Sequence, residues 1–157
     1  MKKEEKTNVM RVLEQKKVPY ESHSYTPDAT LTGEEIAGIL GEDPNHVFKT
    51  LVTRGKTGQY YVFVVPVAED LDLKKAAKAS GEKSIEMIKQ KELLPLTGYV
   101  HGGCSPIGMK KTFATFIHDS AETLPRMYVS AGKVGFQVEL SPQDLAKTVG
   151  CGFADLV

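Results

Sequence analysis

Two apolar, β-rich runs at residues 47–53 and 59–67 flank the short segment Arg54-Gly55-Lys56-Thr57-Gly58. β-branched and aromatic residues on either side of a glycine-containing loop predict an antiparallel hairpin. So short a loop cannot hold the crossover helix that a parallel pair needs. The hairpin also carries an anomaly. Lys49 is the one cation in the otherwise apolar run Val47-Phe48-Lys49-Thr50-Leu51-Val52. Strand side chains alternate, so this lysine points either to solvent or into a pocket. In the second case its ammonium would orient a carbonyl, a phosphate or a terminal ribose.

Helix and strand signals surround the hairpin. Val9, Val12, Leu13 and Lys16 recur near helical spacing, which predicts a helix over 8–17 stopped by Pro19. Residues 20–25 alternate as a strand. Thr32-Gly33-Glu34-Glu35 has the pattern of a capping box and opens a helix that ends at Gly41. Asp43-Pro44 predicts a further helical turn. Asp72 caps a helix over 73–79 closed by Gly81, and Ser84 caps another over 85–91. Residues 113–118, 127–130 and 135–140 read as strands, and Ser141-Pro142 starts a last helix over 143–149. The expected fold is α+β: a single domain over 1–157 whose mixed, mostly antiparallel sheet curls into a barrel-like core with helices around it.

The chain has 157 residues, enough for one domain with a substantial core. Its 20 basic and 20 acidic residues cancel. No overall field therefore holds nucleic acid, and any such partner needs a local basic patch or a second protein. Lys74, Lys75, Lys78, Lys110 and Lys111 are candidates for that patch. The first three equally read as the solvated side of an amphipathic helix. Two cysteines without framework spacing fit a reduced, cytoplasmic protein. The opening Met1-Lys2-Lys3-Glu4-Glu5-Lys6 has no apolar run behind it, so no signal peptide is expected. No stretch approaches the roughly 18 apolar residues of a membrane span.

Several short motifs invite chemistry. Gly102-Gly103-Cys104-Ser105-Pro106-Ile107-Gly108 reads as a turn between strands, or as a cradle of backbone N–H groups for an anion or carbonyl with the Ser105 hydroxyl at its side. It is not a nucleophile elbow, because Ile107 stands where G-x-S-x-G needs its last glycine. Ser130-Ala131-Gly132-Lys133-Val134-Gly135 is a third polar loop, either a hairpin turn or a further wall of the same pocket. Gly55-Lys56-Thr57 lacks the upstream glycine of a phosphate-binding P-loop, with Thr50 in its place. His101 and Cys104 have metal-like spacing but no second ligand pair, so neither metal nor cofactor is expected. Cys104 reads as a buried small residue, or as a nucleophile with His101, His118 or His23 as base. His118-Asp119 with Ser105 makes a poor triad, since adjacent strand residues rarely face one another.

The order of these loops resembles the YbaK/EbsC family of aminoacyl-tRNA editing deacylases, which is related to the insertion editing domain of bacterial prolyl-tRNA synthetase. The resemblance spans nearly the whole chain. It runs through Val47-Phe48-Lys49-Thr50-Leu51, Leu71-Asp72-Leu73-Lys74-Lys75-Ala76-Ala77-Lys78, Thr97-Gly98-Tyr99-Val100, the glycine loop from Gly102 to Lys111, Tyr128-Val129-Ser130-Ala131-Gly132-Lys133 and Gln143-Asp144-Leu145-Ala146. It implies removal of a small, wrong amino acid, typically cysteine or alanine, from tRNA-Pro. The family's lysine falls on Lys49, its functional glycine on Gly102, and its tyrosine, threonine and loop serine on Tyr25, Thr50 and Ser130. Two positions depart from the pattern. Cys104 stands where cysteine-specific members usually carry an aliphatic residue, and Gln137 where some members carry an acid.

The expectation is thus a trans-editing deacylase, with Lys49 as the catalytic cation and Tyr25, Thr50, Gly102, Gly103, Ser105 and Ser130 holding the aminoacyl-adenosine. The attacking group is the substrate's own thiol or a water. The partners implied are aminoacyl-tRNA-Pro and prolyl-tRNA synthetase, with no membrane. The alternative is a non-catalytic nucleotide-binding or aminoacyl-adenosine-binding module that uses the same pocket, and a cysteine hydrolase built on Cys104 is a third.

Overall fold

The hairpin forms the centre of the molecule. In the computed structural model, which describes residues 6–157, β2 (Phe48–Gly55) and β3 (Tyr60–Pro66) pair antiparallel from Phe48↔Pro66 to Arg54↔Tyr60. Residues 1–5, most of the segment searched above for a leader, lie outside the described residues. Strand β3 is buried on both faces. Val64 packs into the larger core with Val9, Leu13, Ile117 and Met127. Phe63 and Val65 turn the other way, against Ala76, Ala77 and Leu156. This explains an apolar run where a half-exposed strand would alternate.

The remaining elements are α1 (Asn8–Gln15), β1 (Glu21–Ser24), α2 (Gly33–Leu40), α3 (Leu73–Ser80), β4 (Ile85–Met87), α4 (Gln90–Thr97), β5 (Ala114–His118), β6 (Met127–Ser130), β7 (Phe136–Leu140), α5 (Pro142–Val149) and β8 (Gly152–Ala154). A short 3-10 turn, Asp119–Thr123, follows β5. The capping box that opens α2 is formed: Thr32 Oγ1 accepts from Glu35 N–H at 3.1 Å, and Glu35 Oε1 accepts from Thr32 N–H at 3.0 Å. Gly41 closes the helix in the left-handed region. Asp72 and Ser141 cap α3 and α5 as their sequences require.

Three readings are corrected. The segment after Ser84 is a strand, not a helix. β4 pairs antiparallel with the open edge of β2, with Arg54 opposite Glu86 and their side chains bonded at 2.9 Å. Ile85 is buried there, and satisfying a sheet edge outweighs local helical preference. The helix starts later, at Gln90. Asp43-Pro44 opens a turn and no helix: the Asp43 carboxylate accepts from Asn45 N–H at 2.9 Å, and the chain then enters β2. The strands form two sheets and no closed barrel. One has the order β1-β7-β6, all antiparallel; the other has the order β4-β2-β3-β5-β8, with β3-β5 and β5-β8 parallel. A single parallel bridge, Val47↔Tyr128, joins them at the head of β2. The molecule is a mixed, mostly antiparallel α+β domain, and the junction of its two sheets lies one residue before Phe48-Lys49-Thr50.

Candidate functional site

A cavity of about 610 Å³ opens beside that junction. Its floor is the start of β2, from Val47 to Leu51. One wall is the chain from Tyr25 into α2, with Thr32, Gly33 and Glu34. The opposite wall is the end of β6 and the start of β7, with Ser130 and Gln137, and His101, Gly102 and Cys104 complete it. A volume of this size suits a nucleoside with a small substituent.

Lys49 lies in the cavity, so the strand's alternation resolves inward. Its side chain keeps 33% exposure, and Nζ stands 3.9 Å from Asp70 Oδ1, a fully exposed carboxylate at the rim. So loose a pair leaves the ammonium available to an anion. Thr50 lies beside it, and its Oγ1 is buried with no hydrogen-bond partner among the described residues. Tyr25, Gly102 and Ser130 line the same space. Gly102 has φ +86°, a conformation that favours glycine, and Ser130 Oγ accepts from Gly132 N–H at 3.2 Å. Five of the seven expected site residues therefore meet in one place.

The other two do not line it. Gly103 is buried, and its N–H donates to Val100 O at 3.0 Å, so that hydrogen is not free for a ligand. A Cβ at Gly103 would stand 3.0 Å from Val134 N and 3.3 Å from Lys133 Cα. Its glycine serves the crossing of the 102–108 and 130–135 loops. Ser105 is fully buried, and its Oγ accepts from Ile107 N–H at 3.3 Å inside the same loop. Both residues shape the loop from behind. Tyr99 anchors it further: its hydroxyl donates to Ile107 O at 2.6 Å and accepts from Asn8 Nδ2 at 3.2 Å.

The structure also bears on the candidate nucleophiles. Cys104 reaches the cavity wall, but burial pushes its thiol up to about 12, against a smaller opposing effect of Thr97. A thiol held protonated in this way is a poor nucleophile at neutral pH. The triad of Ser105, His118 and Asp119 is not assembled. His118 Nδ1 accepts from Leu156 N–H at 3.1 Å at the junction with the C-terminus, and Ser105 is engaged elsewhere.

Sequence reasoning missed the apolar walls Leu31 and Leu93, the rim carboxylate Asp70 and the start of α2. It noted Gln137 only as a departure. Gln137 is 4% exposed, lines the cavity, and has its Oε1 buried with no partner among the described residues. The signal available was a polar residue in the β7 pattern, flanked by Phe136 and Val138.

Fold and cavity together define a small α+β domain with an inward lysine, a hydroxyl and a left-handed glycine around a nucleoside-sized space. Comparison with known proteins gives the same class. Residues 26–148 match the aminoacyl-tRNA editing domain, and the chain belongs to that family. It is 45% identical over 156 residues to an Enterococcus faecalis protein named as a Cys-tRNA(Pro)/Cys-tRNA(Cys) deacylase, EbsC, covering 99% of this chain and 95% of that one. It is 29% identical over 85 residues to a proline–tRNA ligase of Thermosipho melanesiensis, a match covering 54% of this chain and 15% of the ligase. A crystal structure named as a trans-editing enzyme for prolyl tRNA synthetase superposes with a TM-score of 0.82 at 26% identity, over 95% of this chain and 94% of that one.

Proposed function

We propose that this protein removes a mischarged small amino acid, cysteine foremost, from the 3′ end of tRNA-Pro. The observation that carries the reading is the meeting of Lys49, Thr50, Gly102 and Ser130 in one cavity whose one thiol is held protonated. An aminoacyl ester is already activated, so positioning and electrostatics suffice. Lys49 binds the phosphate or ribose of the terminal adenosine and neutralises charge near the ester. The Gly102 backbone and Ser130 fix the aminoacyl group, while Tyr25 and Thr50 close the adenosine side. In a cysteinyl ester, the substrate sulfur attacks its own carbonyl carbon. The C–O bond to the ribose breaks, the thiol proton ends on the departing 3′ oxygen, and a four-membered thiolactone leaves. In an alanyl ester a water adds to the carbonyl instead and yields the free amino acid. Prolyl-tRNA synthetase supplies tRNA selection that a chain of zero net charge lacks, and the reaction belongs in the cytoplasm.

Deacylation of Cys-tRNA-Pro and Ala-tRNA-Pro by wild type and Lys49→Ala tests this reading. Release of cysteine that falls at least 100-fold in the variant, and fails when serine replaces cysteine, is the expected result, on the scale of removing one charged group from a transition state. Alanine release would assign the water route. Release of neither, with and without the synthetase, would sink editing of these substrates and leave the binding module.

A further inference from the structure

The cavity carries charge of both signs. Among the described residues, Glu34 and Asp70 are the carboxylates that line it. Glu34 lies in the first turn of α2, on one wall. Asp70 is the one beside the lysine, with Oδ1 3.9 Å from Lys49 Nζ. Its backbone is pinned on both sides. Glu69 N–H donates to Pro66 O at 3.0 Å and closes the turn that leaves β3. Asp72 N–H donates to Leu156 O at 2.7 Å, while the Asp72 carboxylate accepts from the N–H groups of Lys74 and Lys75 at the head of α3. Asp72 is thus spent on its helix, as Glu35 is on Thr32 and Asp28 on Thr30. Asp70 is not spent. Its side chain is fully exposed, the 3.9 Å approach of Lys49 is too long for a hydrogen bond, and it has no other partner among the described residues.

An aminoacyl-adenosine brings two charges of its own, a negative phosphate and a positive α-ammonium. The ammonium nitrogen and the ester carbonyl carbon share one Cα, so they lie about 2.5 Å apart. With Lys49 beside the ester, the ammonium comes close to Lys49 as well. Two cations so close repel unless an anion joins them. Gln137 is not that anion, because it is neutral and its Oε1 is buried. The carboxylate beside Lys49 is accessible and charged. Both halves of the loose pair can then exchange partners when substrate enters. An oxygen of the phosphate or ribose takes Lys49, the ammonium takes Asp70, and no charge is left unpaired before or after.

We propose that Asp70 is a specificity residue: its carboxylate binds the α-ammonium of the aminoacyl group, so the site selects esters with a free amine over N-acylated ones. The inference rests on the editing reading for the identity of the ligand. It gives the Asp70 charge two effects of opposite sign. The carboxylate attracts the ammonium, and it competes with a phosphate for Lys49. A rim residue that only supported the fold would not separate ligands in this way.

The test compares two amide-linked analogues of the substrate end, the 5′-phosphate of 3′-cysteinylamino-adenosine and its counterpart lacking the α-amino group, by calorimetry on wild type, Asp70→Asn and Asp70→Glu. Wild type should bind the amino analogue about tenfold more tightly than the other, the scale of one hydrogen bond between charged groups. Asp70→Asn should lose about tenfold on the amino analogue. It should bind the other analogue equally well or up to about threefold more tightly, because the carboxylate no longer competes for Lys49. Asp70→Glu should keep most of the preference. In turnover, Asp70→Asn should raise KM for Cys-tRNA-Pro about tenfold and change kcat under about twofold, with KM for the N-acetylated tRNA unmoved. Equal losses on both analogues, no preference in wild type, or a preference that survives Asp70→Asn would overturn the inference. Because binding is read apart from turnover, a wild type that binds with this preference but deacylates nothing would refute the editing reading and leave the role of Asp70 standing.

Discussion

At the scale of single residues, the buried groups have opposite uses. Burial raises the Glu42 carboxyl above its ordinary 4.5; the Gln137 amide and His23 lower it, and Glu139 adds to the rise. An acid with a raised folded value holds its proton more tightly in the folded state. Its stability contribution is therefore most favourable below 4.5 and declines as pH climbs through the raised folded value. Glu42→Gln abolishes that titration. The variant should melt higher than wild type at pH 7 and close to it at pH 4, as followed by circular dichroism. A variant that melts lower at pH 7 would show that the carboxylate is stabilised by its neighbours and not strained by burial. Cys104 is the contrasting case. With its thiol pushed up to about 12, it acts as a small filler of the cavity wall. Cys104→Ala should cost about 1 kcal/mol or less in stability and keep deacylation within about threefold. Loss of all activity, or inactivation by a thiol-alkylating reagent that Cys104→Ala abolishes, would restore the cysteine-hydrolase alternative.

At the scale of elements, local signals succeeded where the physics is local. The Thr32/Glu35 box, Asp72 with Gly81, and Ser141-Pro142 each satisfy helix ends within a few residues, so they can be read without the rest of the molecule. The β2-β3 hairpin is likewise self-contained. Ile85–Met87 and Gly152–Ala154 were not legible, because three residues become a strand only when an open edge of β2 or β5 lies alongside. The site divides the same way. Lys49 stood out as a cation in an apolar strand, but its inward direction is decided by the sheet junction at Val47↔Tyr128. Gly103 and Ser105 looked like ligands because a glycine-rich loop exposes N–H groups; what occupies them is their own segment, the Val100 carbonyl and the Ile107 N–H, with the distant 130–135 loop crossing close over Gly103. The approach of α2 to Val67, the residue that follows β3, gives a sharper test. A Cβ on Gly33 would fall 2.4 Å from Val67 Cγ1, on a short, stiff side chain that cannot swing aside. Gly33→Ala should therefore push the start of α2 off the turn that follows β3, cost about 1–3 kcal/mol, and raise KM through the displaced cavity wall. Unchanged stability and KM would mean that the wall gives way freely.

At the scale of the whole molecule, the problem is how a chain with 20 basic and 20 acidic residues finds one tRNA. Long-range attraction to a polyanion grows with the number of phosphates neutralised, and a balanced surface supplies few. On the proposed reading the cavity takes a nucleoside and a small acyl group, features shared by many charged tRNAs, so tRNA identity would be read by something else. The relationship to part of a proline–tRNA ligase suggests what: a segment of similar sequence lies within that ligase. On the proposed reading, this domain gains a comparable arrangement by docking on the synthetase while the tRNA is still bound. Docking converts capture of the acceptor end into a local event, which raises apparent affinity by about 10² or more without any new contact in the cavity. The expected outcome is a fall in KM for Cys-tRNA-Pro of that order when catalytically inactive prolyl-tRNA synthetase is added, with kcat little changed. The gain should be absent for a cysteinyl minihelix too short to reach the synthetase's anticodon-reading surface. Steady-state deacylation at fixed salt, with and without the synthetase, reads both. An unchanged KM for the full tRNA would mean that this domain captures its substrate unaided, and the lysines at 74, 75, 78, 110 and 111 would then have to supply the grip.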